Sequence, residues 1–140
     1  MPPERLTTDK FNAAGNGYLP GHLDILVTEA DIGELKAEFV VSKKHIAPNG
    51  YLHAGSVVAL ADTAAGYGCV AHLPEGGTGF TTLELKSNHM GTARNGTVRC
   101  HAKAVHLGKT TQVWDAIVSH IESHKIIAVF RCTQLILYAK

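Results

Sequence analysis

The sequence predicts an α+β fold in which one long apolar helix is wrapped by a curved antiparallel sheet of about six strands. Three observations support this prediction: a long segment that is apolar on nearly every side, short runs of strand character before and after it, and turn-forming residues between those runs. A chain of 140 residues is long enough for one well-buried core, so we expect residues 1–140 to form a single domain.

Two strand-like runs precede the helix. Leu23–Val27 and Leu35–Val41 alternate in polarity or run apolar over strand lengths, and "TEADIGE" separates them. We therefore expect them to form a hairpin. Segments rich in Gly, Pro and Asn, at Asn12–His22 and Ile46–His53, are predicted to be turns on either side.

The central segment Gly55–Cys69 is too long for a usual strand and is apolar almost all round, which is typical of a helix enclosed by other structure. It carries one carboxylate, Asp62. Four strand-like runs follow, at Gly79–His89, Thr97–Val105, Thr110–Ile121 and Lys125–Tyr138. The short turns "HLGK" and "ESHK" predict antiparallel neighbours, because parallel pairing needs a crossover of a dozen or more residues.

Composition narrows the class of function. A formal net charge of +1 with 18% charged residues lacks the basic excess of a nucleic-acid-binding protein. No run of 18 apolar residues and no signal peptide can be found, so we expect no membrane segment and a cytoplasmic location. The three cysteines lie in separate apolar surroundings and are expected to be reduced core thiols.

Asp62 raises the question of a site. Helix geometry places Gly55, Asp62, Gly66 and Cys69 on one stripe, and the glycines indicate that a backbone or ligand approaches closely there. The free N–H groups of the helix start could stabilise an oxyanion, but Gly55 and Asp62 lie about 10.5 Å apart along the axis. Two antiparallel copies could combine the start of one helix with the middle of the other. For Asp62, the alternative to a catalytic role is a structural acid held by hydrogen bonds. For His53, direct proton transfer competes with capping of the helix start, and capping is favoured.

The segment "NGYLHAGSVVALADTAAGYG" resembles the signature of hotdog-fold acyl-CoA thioesterases of the phenylacetate-degradation (PaaI-like) type. "TTLELKSNHMGTA" and "AVHLGKTTQVWDAIV" are similar to two later strands of the same superfamily, the second particularly in Arthrobacter-type 4-hydroxybenzoyl-CoA thioesterase. The resemblance implies a hotdog fold, hydrolysis of an aryl- or fatty-acyl-CoA without a cofactor, and a homodimer that assembles into a homotetramer. It also implies that Asp62 is the nucleophile or the general base, and that the N–H of Ala54 or Gly55 binds the oxyanion.

The resemblance assigns further residues. It places a second-subunit hydroxyl at or beside Thr82, a polar contact near Asn88, and phosphate-binding groups at Lys109 and Thr110, with Arg94 as a nearby cation. The family's usual Asn or Gln six residues before His53 is Ala47 here, and Asn49 is the candidate to replace it. Val58, Leu60 and Tyr67 are candidates to line an acyl pocket.

Three alternatives compete with this interpretation. The histidines near His101 and His120 suggest zinc, but His101 and His106 should face opposite ways in a strand, so no metal site is predicted. A hotdog acyl-CoA hydratase or dehydratase would use a different Asp and His motif, which is not found. A non-catalytic acyl-CoA sensor would bind the thioester without releasing thiol.

Overall fold

A computed structural model describes residues 7–140 of the chain. After two short N-terminal helices, the order is two strands, one long helix and four strands, as predicted. The helices are α1 (Thr8–Gly15), α2 (Leu19–His22) and α3 (Ala54–Ala71), with one 3₁₀ turn at Lys43–His45. The strands are β1 (Leu26–Asp31), β2 (Glu34–Val40), β3 (Gly77–His89), β4 (Thr97–Leu107), β5 (Thr111–His120) and β6 (Lys125–Tyr138).

The six strands form one antiparallel sheet in the order β1-β2-β4-β5-β6-β3. The predicted hairpins β1–β2, β4–β5 and β5–β6 are all present. The consecutive strands β3 and β4 are not neighbours, because β4 pairs with β2 and β3 pairs with β6 at the far edge. The helix between β2 and β3 therefore carries the chain from one side of the sheet to the other.

Helix α3 lies against this sheet and contacts every strand from β2 to β6. Its length and apolarity would also suit a membrane span, but 56% of it is buried inside the fold, as in the core helix of a soluble protein. The helix is not enclosed on every side, however. A stripe of five residues stays half-buried or exposed, and it comprises Val58, Ala59, Asp62, Thr63 and Val70.

Close packing fixes α3 against the sheet at Gly68. A Cβ atom at this position would lie 2.7 Å from the ring of Trp114, a side chain that is fully buried. Glycine therefore lets helix and sheet approach more closely than any other residue would. The three cysteines are buried and free, which confirms the prediction of reduced core thiols.

The N-terminal region differs from the prediction of turns over Asn12–His22. Helix α1 includes the first residues of that segment, and two tertiary contacts hold it in place. Phe11 stacks on Tyr67 of α3 with ring centroids 5.0 Å apart. The Asn12 side chain accepts a hydrogen bond from the Val27 N–H (2.8 Å) and donates one to the Val27 carbonyl (3.1 Å). Helices held by contacts distant in sequence leave little local signal.

The first strand was also predicted too early, at Leu23–Val27. Asp24 has a φ of 54°, in the left-handed region that strands do not adopt. The chain turns there, and β1 begins only at Leu26. Strand β2 matches its prediction within one residue at each end.

Candidate active site

The start of α3 presents one free backbone donor. His53 is the N-cap residue, and its Nδ1 accepts a hydrogen bond from the Gly55 N–H at 2.7 Å. A Cβ at Gly55 would lie 2.9 Å from the same Nδ1, so the close approach expected there comes from the ring of His53. Between these two residues, the Ala54 N–H has no hydrogen-bond partner within residues 7–140, and Ala54 is exposed. The helix start can therefore offer the Ala54 N–H to a bound carbonyl.

A buried histidine, His45, holds this helix start in place, and it was not among the residues predicted from the sequence. The carbonyl of His45 accepts hydrogen bonds from the His53 N–H (2.9 Å) and the Ser56 hydroxyl (3.0 Å). Its ring is fully buried and stacks on Phe39 with centroids 3.9 Å apart. The position of the Ala54 N–H is thus tied to the core of the protein.

Asp62 lies eight residues further along α3, in the middle of the half-exposed stripe. Burial raises the pKa of its carboxyl above the ordinary 3.8, and a hydrogen bond from Thr82 opposes this increase. No ion pair involves Asp62 in the described part of the chain. Its charged form is therefore little compensated by the surrounding protein.

Thr82 of β3 is the side-chain hydrogen-bond partner of Asp62 among residues 7–140. Its hydroxyl lies 3.3 Å from Asp62 Oδ1 and 2.8 Å from Gln134 Oε1 of β6. The resemblance assigns a hydroxyl at this position to the second subunit, whereas here it touches the acid of its own chain. A β-bulge lies between Thr82 and Glu84, and bulges of this kind re-aim side chains beside active sites.

Gln134 was not among the predicted site residues. It is fully buried, and it follows the inward-facing alternation of Phe130, Cys132 and Ile136 along β6. A polar residue at an inward position of an apolar strand is the signal that would have found it.

Gly66 of α3, which the sequence placed beside Asp62, accommodates an aromatic ring. A Cβ at Gly66 would lie 2.8 Å from Cζ of Phe80, which is half-buried on β3 two residues before Thr82. The close approach predicted beside Asp62 is therefore made by this ring. Phe80 and Thr82 together form the β3 side of the candidate site.

The two asparagines lie apart from Asp62. Asn49 is exposed, and its Oδ1 accepts the Tyr51 N–H at 3.2 Å within the loop before α3. Asn88 pairs with Val129 on the sheet face turned away from the helix, where it lines a cavity of about 500 Å³ with Lys86 and His101. Neither side chain is hydrogen-bonded to Asp62 in residues 7–140.

The predicted phosphate-binding residues fall at opposite ends of α3. Lys109 and Thr110 line a cavity of about 450 Å³ with Pro74, Glu75 and Tyr138, just beyond the end of the helix. Arg94 is exposed and lies over the ring of Tyr51, 5.3 Å from its centroid, near the helix start. Because the 18-residue helix is about 27 Å long, one chain does not gather these cations into one site.

The three residues predicted to line an acyl pocket do not lie together on one side of α3. Leu60 is fully buried in the core and cannot line an open pocket, which corrects that prediction. Tyr67 lies on the same side of the helix and stacks on Phe11. Val58 alone lies on the half-exposed stripe with Asp62.

Comparison with known proteins identifies the family. The family model of the thioesterase superfamily matches residues 49–127. The chain is 37% identical over 113 residues to the 1,4-dihydroxy-2-naphthoyl-CoA hydrolase of Escherichia coli K12, covering 79% of this chain and 80% of that protein. A variant of a thioesterase from Pseudomonas aeruginosa superposes with a TM-score of 0.90 at 28% identity over 95% of both chains. The PaaI protein of E. coli has the same fold, with a TM-score of 0.80 at 23% identity over 95% of this chain and 97% of that one.

Proposed function

Because this chain belongs to the thioesterase superfamily, has its hotdog fold and is a thioester hydrolase, we propose that it hydrolyses an acyl-CoA to a free acid and CoA, with the Asp62 carboxylate as nucleophile or general base. The observation that supports this proposal is that one helix, α3, presents both a carboxylate without an ion-pair partner and a backbone N–H without an acceptor within the described residues. Within residues 7–140, Asp62 accepts a hydrogen bond from Thr82 but forms no ion pair, and the Ala54 N–H at the start of the same helix has no hydrogen-bond partner.

The chemistry requires one group to attack and another to stabilise the oxyanion. The Ala54 N–H, aided by the positive end of the helix dipole, would donate a hydrogen bond to the thioester oxygen as negative charge develops on it. Asp62 would either attack the carbonyl carbon or remove a proton from an attacking water. In the first route an Asp62 oxygen bonds to the carbonyl carbon, the C–S bond breaks, and the CoA thiolate takes a proton from solvent; water then cleaves the anhydride to the free acid and restores Asp62. In the second route the water oxygen bonds to the carbonyl carbon as Asp62 takes its proton, the C–S bond breaks, and that proton passes to the CoA sulfur.

The site would contain residues of two chains. Ala54 and Asp62 lie about 12 Å apart along the helix, whereas both groups must lie about 3 Å from the same carbonyl. Two features support an antiparallel pair of helices across a two-fold axis: the uncovered stripe of α3 and the free edge of β3, where Leu83 and Leu85 are exposed. Unpaired strand edges with apolar side chains favour association. The homotetramer stays a prediction from the family resemblance, and the cytoplasmic location stays a prediction from the sequence.

The substrate would lie along this interface. We propose that the Lys109 and Thr110 cavity binds CoA phosphates and that Arg94 contributes from the other chain, since antiparallel helices bring the start of one towards the end of the other. The acyl group would contact Val58 and Phe80 beside Asp62. The E. coli relative is named for an aromatic acyl-CoA, which favours an aryl group over a fatty one.

A thiol-release assay tests the proposal. Aryl-CoA, short-chain and long-chain acyl-CoA substrates would be compared for wild type and Asp62→Asn. We expect turnover of at least one aryl-CoA and its loss in the variant. Unchanged turnover in Asp62→Asn would refute the role of Asp62, and tight binding of acyl-CoA without thiol release by wild type would identify a sensor.

A further inference from the structure

The side chains of Gln134, Thr82 and Asp62 form a row that leads from the core to the site. Gln134 is fully buried, Thr82 is half-buried, and Asp62 faces the open stripe. Gln134 also contacts Cys132, with its Nε2 3.4 Å from Cys132 Sγ. Thr82 is the hydrogen-bond donor to the Asp62 carboxylate in the described part of the chain.

The Thr82 hydroxyl has one proton and two neighbours that could accept it. Gln134 Oε1 lies at 2.8 Å and Asp62 Oδ1 at 3.3 Å. If the proton points to Gln134, the Asp62 carboxylate receives no hydrogen bond. An ionised carboxylate that is half-buried and receives no hydrogen bond from the protein is destabilised, so this arrangement favours a protonated Asp62.

A half-turn of the Gln134 amide removes the conflict, because its oxygen and nitrogen fill the same space in either orientation. Gln134 Nε2 would then donate to Thr82, and the Thr82 hydroxyl would donate to Asp62. Gln134 Oε1 would face Cys132, whose thiol stays protonated because burial raises its pKa to about 12, with a further contribution from the nearby Asp62 charge. The thiol is thus able to donate to Oε1, and each of the three contacts in the row then joins a donor to an acceptor.

We propose that Gln134 is a positioning residue for Asp62: it donates to Thr82 and thereby directs the Thr82 hydroxyl proton onto the carboxylate. The proposal takes its catalytic meaning from the proposed function, but its geometry does not depend on that function. The titratable groups around this row are the thiols of Cys132 on β6 and Cys69 on α3, and Asp115 acts on Cys132 from β5. No Lys, Arg or His within residues 7–140 forms an ion pair with Asp62.

The sign of one substitution separates this proposal from its alternative. If Gln134 directs the Thr82 proton to Asp62, Gln134→Met removes that support and the pKa of Asp62 rises. If Gln134 instead competes for the proton, Gln134→Met frees it for Asp62 and the pKa falls. Methionine fills a similar volume without a strong hydrogen-bonding group.

Carboxyl ¹³C NMR of the full chain, without substrate, measures this directly, with the Asp62 signal assigned by its loss in Asp62→Asn. We expect the titration midpoint of Asp62 to move to higher pH in Thr82→Val and in Gln134→Met, and to return towards the wild-type value in Thr82→Ser. In the Thr82→Val background, Gln134→Met should add no further shift, because the row is already broken.

Gln112→Met is the matched control. Gln112 is an equally buried glutamine that pairs with Gln134 across the sheet but bonds to Trp114 and the His72 carbonyl. The Gln112→Met variant should therefore leave the titration midpoint of Asp62 unchanged. If Gln134→Met fails to fold, Gln134→Asn replaces it in the experiment. The shorter side chain places the amide out of reach of Thr82, so the titration midpoint of Asp62 should again move to higher pH.

A fall or no change of the midpoint in the Gln134 variants would overturn the proposal. Failure of the proposed function is separate, since it would appear as absent thiol release while the NMR shifts persist. An active enzyme with unmoved NMR midpoints would reject the positioning role alone.

Discussion

His53 accepts a hydrogen bond from the Gly55 N–H at 2.7 Å, and this bond occupies one of the two donors that the family resemblance offers for an oxyanion. The Ala54 N–H stays free within the described residues. Of these two N–H groups, that of Ala54 is therefore the one available to bind a substrate oxygen. If His53 keeps its capping role during turnover, catalysis depends on Ala54 alone.

Ala54→Pro tests that dependence, because the proline ring replaces the N–H hydrogen with a carbon atom and leaves no donor. Proline is well tolerated at the first position of a helix, and His53 has φ −66° and ψ 130°, which is the conformation preferred before proline. We expect a fold close to wild type and a fall in kcat of about 10² to 10³, the usual effect of losing one oxyanion donor. Steady-state kinetics and circular dichroism measure the two effects. Ala54→Gly keeps the N–H and should retain activity, so an equal loss in both variants would contradict this role.

Asp62→Asn is expected to separate activity from stability. Turnover should fall by about 10² to 10⁴, the range for a missing general base. Asp115→Asn, which breaks an ion pair with Arg131 on the outer face, serves as the control and should leave turnover near wild type.

Stability should respond to Asp62→Asn in the opposite direction. Because burial raises the pKa of folded Asp62 above 3.8, the folded state binds this proton more tightly than the unfolded state does. The stability of wild type therefore falls as pH rises from 3.8 through the folded pKa, a loss that asparagine does not suffer. Urea unfolding should show the variant more stable at neutral pH and the difference shrinking below pH 3.8. A variant less stable than wild type at neutral pH would show that the carboxylate is instead a structural anchor.

Gly68→Ala should destabilise the fold at the contact between α3 and the sheet. The new Cβ would meet three atoms of the Trp114 ring at 2.7–3.0 Å, and this ring is fully buried and cannot move aside. Overpacking of this kind costs about 1 to 3 kcal/mol, which exceeds the roughly 1 kcal/mol that alanine gains over glycine in a helix. Gly79→Ala is the control, since nothing lies within 4 Å of its added Cβ. Urea midpoints that coincide for the two variants would contradict the close contact.

The sequence predicted those parts of the fold that depend on local patterns. The apolar run around Asp62 identified α3, and alternation identified the last four strands within about two residues at each end. The edge position of β3 was not predictable, because its pairing with β6 joins residues such as Leu85 and Cys132 that are far apart in sequence. Helix α1 was missed for the same reason, since its order comes from the contact of Phe11 with Tyr67.

In the candidate site too, the residues with a local sequence signal were predicted, and those that depend on strand pairing were not. Its helix residues follow from spacing, since Asp62, seven positions after Gly55, returns to nearly the same side of the helix. The partners of Asp62 on the sheet do not follow from spacing. Thr82 was named from the resemblance and placed on the other subunit, and Gln134 was not named, because only the register of β3 against β6 brings both beside the acid.

Mixing two inactive variants tests whether the site contains residues of two chains. Ala54→Pro and Asp62→Asn should each be inactive alone, but a mixed dimer pairs the intact Ala54 of one chain with the intact Asp62 of the other. Random exchange makes half of the dimers mixed, and each holds one intact site of two, so about a quarter of the wild-type activity should return. Co-expression followed by thiol-release assay measures the recovery. If Ala54 and Asp62 act within one chain, every chain in the mixture stays defective and no activity returns. A mixture of Asp62→Asn with the double variant Ala54→Pro/Asp62→Asn controls for expression, since it lacks an intact Asp62 and should stay inactive in either case.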